Sequence, residues 1–146
     1  MSDTQTAPYG LLALRVALGL MWIAHGLLKV VVFTVPGFAG FLGSLGLPTA
    51  LALPIIVAEI GGGVLILAGI YGRHVSVLLL PIMLGALMVH LPNGWVFSAP
   101  KGGWEYPAFL IVASIAHALA GDGALALRSG PLAFWRREAQ GQVRMA

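Results

Sequence analysis

Four apolar stretches, each close to the length a helix needs to cross a bilayer, constrain this chain more than any other feature. A transmembrane helix takes about 20 residues, and apolar runs of that order cover residues 11–33, 51–71, 74–91 and 107–127. In lipid every backbone N–H and C=O must be satisfied within its own segment, so runs of this kind become helices. Charge leaves little alternative. Only 9% of the 146 residues are charged, against about 25% in a soluble domain. The expectation is an all-α, multi-pass integral membrane protein folded as a four-helix transmembrane bundle over residues 11–127. A ten-residue N-terminal segment (1–10) precedes it, and a basic tail (128–146) with Phe134 and Trp135 follows. The first run is too long for the apolar part of a cleavable signal and lacks a basic stretch before it, so it reads as a retained span.

The connections differ in kind. Residues 34–50, TVPGFAGFLGSLGLPTA, read as a Gly-, Pro- and Phe-rich loop. Residues 92–106 carry two Trp, a Phe and a Tyr, which suit a membrane interface. Only a tight turn at Gly72 and Arg73 joins the second and third runs, so these form an antiparallel hairpin. Pro81 lies inside the third run, where a kink is expected, and Pro107 suits a first-turn position. Arg73, Arg128, Arg136, Arg137 and Arg144 fall on one side of this arrangement, and Lys29 and Lys101 on the other. The positive-inside rule then places both termini and the Arg73 turn in the cytoplasm.

Two layers of polar residues follow from about 1.5 Å of rise per residue. One holds His25, Lys29, Glu59, His90 and Glu105. The other holds Arg15, Arg73, His117 and Asp122. Arg15, Leu18, Trp22, His25 and Lys29 share one helical face, which should point into the bundle. An ionisable group inside a membrane faces protein and finds a partner. For Glu59, in the string VAEIGGG, His25 is the nearest by depth and Lys29 lies one turn further out. Asp122 is the better match for Arg15, whose long side chain could otherwise reach up toward Glu59. Glu59 reads either as a proton-handling or ligand-binding carboxylate or as an ion pair that sets helix register. The glycines at 61–63 permit close helix contact. They do not form a nucleotide loop, because no strand precedes them.

His25 and His90 could together ligate a b-type haem, or copper with Met21 and Met88. Hydrogen bonds to Glu59, Glu105 or loop carbonyls are the preferred reading, and no metal site is assigned. Glu105, in GGWEYP, either caps the fourth helix or lines a pocket with His90 and Lys29, while Trp104 and Tyr106 anchor that helix at the interface. The chain has no cysteine, which excludes disulfides, thiolate redox chemistry and iron–sulfur clusters. A net charge of +3 is too small to indicate nucleic acid binding.

The strings ALRVALGLMWIAHGLLKV, FLGSLGLP, VAEIGGGVLILAGIYGR, MVHLPNGW, GGWEYP and LAGDGALAL, in that order from Leu11 to Leu127, resemble the DoxX family of small bacterial membrane proteins. That family includes the DoxD-type small subunit of thiosulfate:quinone oxidoreductase. The resemblance implies a four-helix bundle in the bacterial inner membrane and a redox-linked role beside quinones, in complex with other proteins. Its matched polar positions are Arg15, His25, Lys29, Glu59, His90 and Glu105.

Two functions are expected to compete. In the first, a quinone headgroup docks in the outer half of the bundle, with His25 or His90 bonding a carbonyl and Glu59 handling a proton; a partner subunit supplies electrons. In the second, the chain is a non-catalytic anchor or assembly subunit whose lipid-facing surfaces pack on partner spans or on copies of itself. A proton or solute path through the bundle ranks last, because four short helices leave little room for a pore.

Overall fold

A computed structural model describes residues 3–128 and Gly130, and within these every regular element is helical. The helices are α1 (Asp3–Val31), α2 (Val35–Ser44), α3 (Ala52–Ala68), α4 (Gly72–His90) and α5 (Glu105–Ala120), with short 3₁₀ turns at Thr49–Leu51 and Leu91–Asn93. Three segments are long and apolar enough to cross a membrane: Gln5–Val31, Thr49–Ala68 and Gly72–Asn93. The basic tail expected over 128–146, with Phe134 and Trp135, lies outside the described residues apart from Arg128 and Gly130.

Helices α1, α3, α4 and α5 run alternately up and down. Helix α1 packs most extensively on α3, and α4 on α5, while α3–α4 and α1–α5 contacts close the arrangement. The core between them is Leu18, Trp22, Ile66, Leu79, Met83, Leu110 and Ala113. The predicted inward face of α1 is correct for Arg15, Leu18 and Trp22, which are all buried.

The three consecutive glycines divide their work. A Cβ on Gly63 would stand 2.9 Å from the Gly19 carbonyl oxygen of α1, and one on Gly62 would stand 2.8 Å from the Leu79 side chain of α4. Gly61 faces open space. Gly19 mirrors Gly63, since its own Cβ would meet the Gly63 carbonyl at 2.9 Å. Small residues on both helices let the two backbones approach, and dispersion and lipid exclusion then hold them together.

Three boundaries differ from those read in the sequence. Helix α1 begins at Asp3, well before residue 11. Its early turns are held from a distance: the Pro8 carbonyl accepts from the Ala124 backbone N–H at 2.9 Å. Residues 34–50 are not a plain loop, because α2 forms there. The Thr34 hydroxyl caps it by accepting from Gly37 N–H at 3.2 Å, and Phe38 and Leu42 on one face bury against Ala52 and Ile56. Helix α5 stops at Ala120 and does not reach 127. Gly121 (φ 103°), Gly123 (φ 70°) and Leu125 (φ 58°) take left-handed backbone that an α-helix cannot continue. At 16 residues α5 spans about 24 Å, short of the roughly 30 Å hydrocarbon core.

Candidate functional site

Polar side chains gather at the two ends of the helices, with the apolar core between them. At one end the central contact is an ion pair. Lys29 Nζ lies 2.7 Å from Glu59 Oε2 and 2.9 Å from Oε1, joining α1 to α3. Both are shielded, with side-chain exposures of 15% and 4%. The third Lys29 N–H points to the His25 carbonyl at 3.4 Å, so all three ammonium donors have acceptors. Helix α2 covers this pair: the Phe38 ring centroid is 5.3 Å from Lys29 Nζ, within cation–π range. The expected partner of Glu59 by depth was His25. Lys29 takes that place because its long side chain folds back one turn along α1.

His25 turns instead toward α5. Its Nδ1 is 2.9 Å from the Met21 carbonyl, and its ring stacks on Tyr106 at a centroid distance of 5.6 Å and 22° between planes. The Tyr106 hydroxyl is buried with no hydrogen-bond partner. A buried phenol normally finds one, which makes this hydroxyl the most conspicuous unmet group at this end.

His90 and Glu105 do not hydrogen-bond to Lys29, His25 or Glu59. Both order the connection between α4 and α5. His90 Nδ1 lies 3.0 Å from the Gly102 carbonyl, and Glu105 Oε1 accepts from the Phe97 N–H at 2.9 Å. Glu105 thus fixes the loop and does not cap its own helix. Asn93 donates to the Lys101 and Gly102 carbonyls, and Trp95 meets Trp104 edge-on at 4.5 Å. Beside this connection an open groove of about 550 Å³ runs along α5, lined by Trp95, Phe97, Trp104, Glu105, Phe109 and Val112 among others.

At the other end, Asp122 organises a buried cluster. Its Oδ1 accepts the Arg73 backbone N–H at 3.0 Å, in the first turn of α4, where a carboxylate also meets the positive end of the helix dipole. Its backbone carbonyl accepts from Arg15 at 2.8 Å. The Arg73 guanidinium reaches the carbonyls of Ala118 and Leu119 at the end of α5. His117 Nδ1 pairs with Ser76 Oγ at 2.8 Å, and its Nε2 stands 3.3 Å from Asp122 Oδ1. That second contact has the distance of an ion pair but not the alignment of a hydrogen bond, so it acts as an electrostatic contact.

Ser76, His117 and Asp122 thus place a hydroxyl, an imidazole and a carboxylate in a row, as nucleophilic enzymes do. All three are at most 1% exposed, so no substrate reaches the hydroxyl, and the row closes the 121–128 segment over the helix ends. Ser76 and Ser114 were not singled out in the sequence. Their signal is a small polar residue inside an apolar span, which is weak because serine also hydrogen-bonds its own helix. Among the described residues no group of three or more His, Cys, Asp or Glu side chains is arranged to hold a metal ion.

Comparison with known proteins bears on this geometry. The DoxX family model matches residues 10–91, more than half of the chain. The chain belongs to the DoxX family. The match spans α1 to α4 and so includes Arg15, His25, Lys29, Glu59 and His90; Tyr106, His117 and Asp122 lie beyond it. A relative in Bacillus subtilis (strain 168), named "Putative oxidoreductase CatD", is 37% identical over 119 residues, which is 81% of this chain and 84% of the relative. No solved structure matches. Family membership and the long apolar helices together make this DoxX protein a membrane protein.

Proposed function

We propose that this DoxX protein is the small subunit of a redox-linked complex in the bacterial inner membrane, where it binds a quinone-type ring at the Lys29–Glu59 end. The observation that carries the reading is the His25–Tyr106 stack. It offers a partly exposed ring and an unmet hydroxyl beside a shielded ion pair. Binding sites for small ring ligands are mostly apolar with a few convergent polar groups, and this end of the helices has that make-up. The oxidoreductase name of the Bacillus relative agrees with it. In this reading a partner subunit supplies the electrons.

The test is binding to the full chain in quinone-free nanodiscs. Decylubiquinone should bind saturably, and Tyr106→Phe should weaken it several-fold at unchanged thermal stability. If decylubiquinone does not bind the wild type, the reading fails. If it binds and native purification recovers the chain without any oxidoreductase, the redox-complex part fails.

The proposed topology has four spans and both termini in the cytoplasm. Arg73 and Arg128 lie at one end and Lys29 and Lys101 at the other, and positive charge favours the cytoplasmic side. Helix α5 is short, and the connection before it brings Trp95, Phe97 and Trp104 beside its first turns, residue types that suit a membrane interface. Because the chain lacks cysteine, single introduced thiols report topology cleanly. Ser98→Cys should react with an impermeant maleimide in intact spheroplasts, and Ala146→Cys only after lysis. The opposite pattern would reverse the orientation.

A second reading, a non-catalytic anchor for a larger membrane complex or for copies of itself, is favoured by the groove along α5. Phe97, Phe109 and Val112 are more than 50% exposed there. Crosslinking from Phe109 to another membrane protein, with no quinone binding, is the result that would prefer it.

A further inference from the structure

The partner of His25 Nδ1 determines what kind of ligand its ring can take. That partner, 2.9 Å away, is the Met21 carbonyl oxygen. A carbonyl oxygen can only accept, so Nδ1 carries the ring proton. In the neutral imidazole Nε2 then holds a lone pair and is an acceptor. Nε2 has no hydrogen-bond partner among the described residues. Across the stack, the Tyr106 hydroxyl is also unmet and can donate or accept.

The neighbouring ion pair adds no free donor. The three Lys29 N–H groups go to Glu59 Oε1, Glu59 Oε2 and the His25 carbonyl. What remains at this end is an acceptor on the half-buried His25 ring and a hydroxyl at Tyr106 that is itself covered, so a ligand meets it only when the half-buried Tyr106 side chain turns.

We infer that the His25–Tyr106 pair selects the hydroxylated, reduced form of a quinone-type ring over the oxidised form. The inference rests on the proposed quinone-binding function and deepens it. A quinol has two ring hydroxyls. One donates to His25 Nε2, and the oxygen of the other accepts from the Tyr106 hydroxyl. A quinone has two carbonyl oxygens. One accepts from Tyr106, but the other would face the Nε2 lone pair, where two acceptors repel. Only binding is involved; no proton or electron need move. His25 and Tyr106 are binding residues in this scheme, and the Met21 carbonyl is the positioning group that sets the tautomer.

The experiment compares decylubiquinol with decylubiquinone, titrated anaerobically into the full chain in quinone-free nanodiscs. One hydrogen bond gained and one repulsion avoided correspond to about a tenfold preference for the quinol. His25→Phe, which keeps an aromatic ring against Tyr106, should equalise the two forms. His25→Gln, whose amide oxygen can accept, should keep part of the preference. Tyr106→Phe should weaken both forms alike, because that hydroxyl donates to an oxygen in either. Thermal melting of each variant shows whether it remains folded. Equal affinity in the wild type, or a preference for the quinone, overturns the inference while leaving quinone-type binding intact. Binding of neither form overturns both. The wild-type comparison decides even if His25→Phe does not fold.

Discussion

Lys29→Met should be the most destabilising single substitution in this chain, by about 3–5 kcal/mol, because it leaves the Glu59 carboxylate buried without its counter-charge. The pair is shielded by α2 and held at 2.7 Å, so water cannot take over the role of the ammonium. Much of the loss reflects the stranded charge and not the net worth of the pair. The double variant Lys29→Met with Glu59→Leu should therefore recover most of it, since an apolar pair of similar volume avoids the desolvation cost altogether. Reversible unfolding of the purified chain in detergent, run on both singles and the double, gives the coupling energy directly. A loss below about 0.5 kcal/mol for Lys29→Met would mean that the pair is solvated like a surface ion pair.

The second large effect is expected at Asp122. Asp122→Ala removes the acceptor for the Arg73 N–H in the first turn of α4 and the negative neighbour of His117, while the backbone carbonyl that receives Arg15 survives. Loss of this cap, which is a charge-assisted and shielded hydrogen bond, amounts to about 2 kcal/mol. Asp122→Asn keeps an oxygen that can cap the helix, and should cost about 1 kcal/mol. The ordering Ala worse than Asn is the discriminating result. Equal losses would show that the charge matters and the cap does not. Gly72→Ala should behave like the alanine variant, because the added Cβ would run into Asp122 Oδ1.

Much of the fold was legible because hydrophobic runs and helix periodicity are local. The inward face of α1 holds for Arg15, Leu18 and Trp22, and depth does bring Arg15 to Asp122, although it bonds the backbone carbonyl there and not the carboxylate. Helix α2 was missed although its marks were present: Thr34 before Val35, Pro36 in the first turn, Phe38 and Leu42 four apart, and Gly46 after the end. A Gly-rich composition outweighed these cap signals, and burial of Phe38 and Leu42 on α3 stabilises the helix regardless. The end of α5 was misplaced because Gly121-Asp122-Gly123 reads as a tolerable interruption in an apolar run, whereas Asp122 is needed elsewhere, at the start of α4.

At the candidate site, depth put five residues in one layer but could not say which of them meet. His25, Lys29, Glu59, His90 and Glu105 do lie toward one end, yet only Lys29 and Glu59 pair. His90 and Glu105 order a connection instead. Depth along an axis is one coordinate, and pairing depends on the rotation of each helix and the reach of each side chain. The long, flexible Lys29 side chain reaches Glu59, while the shorter His25 ring is held by the carbonyl one turn below it.

By itself the sequence determined that the chain is helical and membrane-embedded, because apolar runs without charge leave the backbone no other way to satisfy its polar groups in lipid. It also carried the family and the interval of each polar residue along its helix. The tertiary structure alone decided who meets whom. It set Lys29 against Glu59 under α2, folded Asp122 back onto α4, and stacked His25 on Tyr106 with an unmet hydroxyl. Those contacts join residues far apart in the chain, so they depend on how the helices pack; for Lys29 and Glu59 the close approach of α1 and α3 at Gly19 and Gly63 brings the side chains within reach.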